Sequence, residues 1–136
     1  MNIDRFKEAH IQILDSIAAL RSHAHAGIAE NAEQIAGLIV SMSSVIKVHL
    51  AAEDRTIYPA LEATADGRLA QLGRRFQDEM VKIAADYNSF SRQWNTVGRV
   101  RADPEGFRAQ ANLVLRALYE RVQREDRDFY PAVEKS

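Results

Sequence analysis

Two histidines, two glutamates and an arginine interrupt faces of this chain that are otherwise apolar. His10 falls between Phe6 and Ile13. His49 and Glu53 stand one helical turn apart and continue the line of Met42 and Ile46. Arg121 and Glu125 repeat that spacing after Val114 and Leu118. Such groups inside an apolar interior are costly unless they satisfy one another or a metal ion. Imidazoles and carboxylates converging from facing helices are the ligands with which helical bundles hold iron or manganese. Metal ligation is therefore the chemistry these residue types could do, with a buried ion-pair network as the structural alternative.

Helices must position these groups. Gly (6) and Pro (3) are scarce, and apolar residues recur at three- and four-residue steps over residues 2–26, 32–61, 68–95 and 104–133. Ile3, Phe6, Ile13 and Ile17 mark the first face, Ile35, Ile39, Met42 and Ile46 the second. Leu69, Phe76, Ile83, Tyr87, Phe90 and Trp94 mark the third, and Phe107, Ala111, Leu118 and Phe129 the fourth. Asp103-Pro104-Glu105 reads as a helix start, with a capping acid followed by Pro at the first helical position. Breaks at Gly27, 65–67 and 98–103 are short, which favours antiparallel neighbours. The predicted fold is all-α: one domain, 1–136, forming an up-down-up-down antiparallel four-helix bundle.

The bundle reads as a duplicated helix pair. Residues 49–62 and 121–134, offset by 72, are identical at seven of fourteen positions (Glu, Asp, Arg, Tyr, Pro, Ala and Glu). Residues 8–10 align with 78–80, which sets His10 against Met80. Tyr58 and Tyr130 precede the repeated prolines. They are read as packing groups at the bundle end rather than redox groups, standing behind the candidate ligands. The Asp54-Arg55 and Asp126-Arg127 pairs are read as solvated helix faces. His23 points away from the apolar stripe. His25 lies about 22 Å along the helix from His10, too far to share a site.

Composition removes whole classes. With Lys and Arg at 18, Asp and Glu at 19, and a formal net charge of −1, no basic field can hold a nucleic-acid backbone. The absence of Cys excludes disulfides, thiolate zinc sites, iron–sulfur clusters and a Cys nucleophile. No N-terminal stretch has the form of a signal peptide. The best apolar run, 35–48, is broken by Gly37, several Ser and Lys47, so no membrane-spanning helix is expected. A cytoplasmic, soluble protein is expected.

His10, the His49-x-x-x-Glu53 pair and the following Tyr58-Pro59 resemble the hemerythrin-like (HHE cation-binding) domain. The resemblance runs through the whole chain. It implies that each half supplies a His from one helix and a His-x-x-x-Glu from the next, around two bridged irons that serve in oxygen binding, sensing or stress regulation. This chain departs from that pattern in its second half. Met80 and Arg121 stand where the family has histidines, and a guanidinium is not a ligand. The resemblance thus implies one metal on His10, His49, Glu53 and Glu125, with Arg121 as a fixed charge in the second metal's place. In that place Arg121 would fork onto both carboxylates. Met80 is ordinary packing beside it.

Three function classes follow. The first is a non-catalytic oxygen, redox or iron sensor or regulator with one non-heme iron per chain (manganese or zinc being alternatives), reading O2 or another small diatomic. The second is a metal-free degenerate bundle acting as a regulatory module for a protein partner. Oxidase chemistry ranks last, because O2 activation in bundles generally uses two metals. Oligomeric state is left open.

Overall fold

The computed structural model describes residues 1–136, and they are helical almost throughout. The elements are α1 (Asp4–Ala26), α2 (Ala32–Glu62), α3 (Gly67–Trp94), α4 (Val97–Ala102), α5 (Pro104–Arg124), a π-helical turn (Glu125–Phe129) and α6 (Tyr130–Lys135). Local chemistry sets their ends. Gly27 closes α1 at φ +139°, a conformation that L side chains rarely adopt, and its N–H is donated to the carbonyl of His23. The Asp66 side chain accepts from the N–H groups of Arg68 and Leu69 at the start of α3. Asp103 accepts from Gly106 N–H at 3.0 Å ahead of α5, with Pro104 in the first turn as expected.

The long helices close a ring, α1 against α2, α2 against α3, α3 against α5 and α5 against α1. Inside it lie two apolar clusters. One holds Ile13, Ile17 and Leu20 of α1, Ile35 to Ile46 of α2, Tyr87 to Trp94 of α3 and Phe107 to Val122 of α5. The other holds Ile3 and Phe6, then Ile57 to Leu61 of α2, Leu69 and Phe76 of α3, and Phe129, Tyr130 and Val133. α1, α2 and α3 run between both clusters, and the fourth segment reaches the second through its π turn and α6. The buried residues between them are His10, His49, Glu53, Met80, Arg121 and Glu125. The core is thus two apolar blocks with a polar layer between them, and apolar burial on both sides provides the free energy that holds the polar groups in place.

Three expectations are corrected. The break at 98–103 contains α4, which caps on Thr96, buries Val100 and packs on α2. The fourth helical segment is not continuous α, since a π turn begins at Glu125. One helix, α2, is long and apolar enough by length and composition to cross a bilayer. Its apolar stripe is spent inside the bundle, where Ile35, Ile39, Met42 and Ile46 are buried against the other helices.

Candidate metal centre

The polar layer brings His10, His49 and Glu125 together. One potential ligand atom from each lies within 4.8 Å of the others, and all three side chains are buried. His10 is held from behind by Asp126, whose Oδ1 lies 2.7 Å from Nδ1. That partner assigns the imidazole proton to Nδ1 and turns the Nε2 lone pair inward. Around this inward Nε2 stand the Tyr130 hydroxyl at 3.1 Å and Glu125 Oε1 at 3.4 Å. His49 Nε2 lies 2.8 Å from Glu53 Oε1 and 3.4 Å from the same Tyr130 hydroxyl.

These separations suit a metal. Two neighbouring ligands with bonds of about 2.1 Å sit roughly 3.0 Å apart in octahedral and roughly 3.4 Å apart in tetrahedral geometry. The hydrogen-bond inventory agrees. Glu53 has no exposure, and neither of its oxygens has a hydrogen-bond partner. The 2.8 Å approach to His49 is close without meeting hydrogen-bond geometry. Glu125 Oε2 and His49 Nδ1 are likewise without partners. Buried carboxylate oxygens facing imidazole nitrogens with nothing to donate to them are a donor set that a cation would complete.

Arg121 pairs directly with only one of the two buried glutamates. Its Nε lies 3.4 Å from Glu125 Oε1 and its Nη1 3.7 Å from Glu79 Oε2. Nη2 donates to the Tyr58 hydroxyl at 3.4 Å, and the guanidinium lies over the Phe76 ring at 4.5 Å. No ion pair or hydrogen bond joins it to Glu53, which corrects the expected fork onto both carboxylates: Arg121 is turned toward Glu79 and Phe76 of α3 and Tyr58 of α2. The electrostatics follow. For Glu125, the His10 hydrogen bond and the charge of Arg121 overcome burial and hold the carboxyl down at about 2. Burial, helped by the charge of Glu125, pushes Glu53 up to about 10. Burial likewise lowers His49 to about 4. For His10, burial is outweighed by Glu125 and Asp126, and its affinity for a proton rises. Without a metal, the layer therefore holds Glu125 ionised and Glu53 protonated.

Met80 is buried on α3 between the two apolar clusters. Tyr58 and Tyr130 are buried with their hydroxyls turned onto Arg121 and onto the two histidines. His23 and His25 lie in the last turn of α1, outside the layer. Asp126 is exposed, as the solvated-face reading expects, but its hydrogen bond to His10 was missed. Its counterpart in the repeat, Asp54, is exposed and accepts from Gln77 at 3.4 Å. The two positions carry the same residue, so the sequence holds no signal that separates them. Glu79, which binds Arg124 at 2.7 Å and faces Arg121, was also missed, as an ordinary exposed-face acid.

The family model described as the hemerythrin HHE cation binding domain matches residues 1–133. No curated protein and no solved structure matches the chain. The chain belongs to the hemerythrin HHE cation-binding family.

Proposed function

We propose that this protein binds a single non-heme metal ion, iron first, in the polar layer of its bundle, and that it acts as a non-catalytic sensor or regulator. The observation that carries this reading is Glu53, wholly buried with both oxygens unpartnered, beside the cluster of His10, His49 and Glu125. His10 and His49 would serve as neutral imidazole ligands, and Glu53 and Glu125 as anionic ones. Iron held in this way supplies reversible redox or small-molecule binding. The chain's own contributions are orientation and charge. Asp126 fixes the ring of His10, and Arg121 compensates the charge of Glu125. The apolar clusters on either side keep water from the ligands.

An up-down-up-down arrangement and an origin by duplication belong to the same proposal. Support comes from the apolar clusters: successive long helices enter them in alternating order. The repeated Glu-Asp-Arg and Tyr-Pro-Ala runs of the second and fourth segments support duplication. A metal-free regulatory module is the second reading, favoured by Arg121 already standing as a cation beside Glu125. Glu53, with which Arg121 makes no ion pair, weighs against it.

Elemental analysis of protein purified from iron-supplemented cells tests the proposal, with His49→Ala beside it and circular dichroism to verify folding. About one iron per chain, lost in the variant, is the expected outcome. Two metals per chain would overturn the mononuclear reading, and a folded wild-type protein without metal would overturn metal binding.

A further inference from the structure

The Tyr130 hydroxyl lies between the inward nitrogens of both histidines, 3.1 Å from His10 Nε2 and 3.4 Å from His49 Nε2. We propose that Tyr130 is itself a ligand, its phenolic oxygen joining His10, His49, Glu53 and Glu125 on the metal. The inference rests on the metal-centre reading above and goes beyond it by adding an oxygen donor.

Counting hydrogens gives the first argument. Nδ1–H of His10 is committed to Asp126, so Nε2 is the nitrogen free to ligate. Once both Nε2 lone pairs are engaged by a metal, neither can accept from Tyr130. The phenol then loses the acceptors it has, while its oxygen stays within about one ligand–ligand spacing of both nitrogens. Ligation replaces the O–H bond with an O–metal bond, and the proton leaves to the buffer.

The backbone gives the second. Five residues along a regular α-helix turn a side chain by roughly 140° from where it began. Between Glu125 and Tyr130 the chain instead forms the π turn, and Tyr130 N–H is donated to the Glu125 carbonyl. That i→i+5 bond brings Tyr130 back over the face of Glu125, so both side chains enter the layer. Tyr130 has no exposure, and its ring stacks on His10 at 4.9 Å and 20°.

Tyr58 supplies the contrast. It stands in the matching place of the repeat, but its hydroxyl accepts a hydrogen bond from Arg121, a permanent cation. The remaining tyrosines lie elsewhere. Tyr87 donates to the Ile39 carbonyl, and Tyr119 is exposed.

The test loads the full chain with ferric iron supplied as its nitrilotriacetate complex. Iron per chain is measured, together with the visible phenolate-to-iron charge-transfer band and its resonance Raman ring modes. The loaded wild type and Tyr58→Phe are expected to show the band and the phenolate modes, and Tyr130→Phe to lose them completely. Loaded wild type without the band would overturn the proposal, as would a band that survives in Tyr130→Phe or disappears in Tyr58→Phe. Should Tyr130→Phe fail to fold or to hold iron, Tyr58→Phe decides alone, because Tyr130 is then the one tyrosine left facing the layer. Iron absent from the wild type by elemental analysis would overturn the metal reading, and this proposal with it. Iron present without phenolate modes would overturn this proposal alone.

Discussion

Replacing Glu53 with Gln is expected to stabilise the metal-free protein near neutral pH, because the fold holds this carboxyl as the protonated acid. Burial, reinforced by the charge of Glu125, pushes it from 4.5 up to about 10. Above pH 4.5 the unfolded chain releases the proton while the folded chain keeps it. The folded state then binds more protons than the unfolded state, so stability falls as pH rises, by about 1.4 kcal/mol per pH unit. Between 4.5 and neutrality the accumulated loss is about 3 kcal/mol. Gln has nearly the shape of the protonated acid and cannot ionise, so it removes the slope. The assay is urea denaturation of chelator-treated wild type and Glu53→Gln from about pH 5 to about pH 8. The variant's advantage is expected to be small at the acid end, about 3 kcal/mol at pH 7, and larger above it. A variant less stable than wild type at pH 7, or an advantage equal at both ends of the range, would refute the reasoning. The same substitution is expected to weaken metal binding, so its two effects have opposite signs.

Arg121→Met leaves Glu125 buried without its cation and should cost about 3–5 kcal/mol. Adding Glu125→Gln should restore part of that loss in thermal denaturation, and no recovery would show that Arg121 acts through packing. Asp126→Ala removes the acceptor behind His10 and should weaken zinc binding about 10- to 100-fold in chelator competition, with the helical signal unchanged. His49 is held neutral down to about 4 in the folded chain, whereas the unfolded ring takes its proton from about 6.5. The unfolded state binds more protons across that window, so metal-free stability should fall as pH drops through it. In His49→Gln that part of the decline should be absent from a pH series of melts.

The four long helical segments, their approximate limits and the buried residues of the polar layer were legible in the chain, whereas α4 was not. They rest on local rules: three- and four-residue apolar spacing, an Asp-Pro helix start and a Gly stop. Polar residues on apolar faces mark themselves, and the repeat tied His49 and Glu53 to Arg121 and Glu125. The partners of those residues were not legible. Periodicity says that Arg121 points inward, but the placement of α5 against α3 and α2 decides that it meets Glu79, Phe76 and Tyr58 and not Glu53. Asp54 and Asp126 are the same residue in the same repeat context, yet only the latter comes to an imidazole of α1. The π turn escaped for the same reason, since its first three residues, Glu-Asp-Arg, also occur in α2 as regular helix. Sequence by itself determined which groups lie buried, because burial follows from a period that every residue carries locally. Which buried group faces which was decided by tertiary structure, because that depends on rotation and translation between helices, and no single helix encodes either.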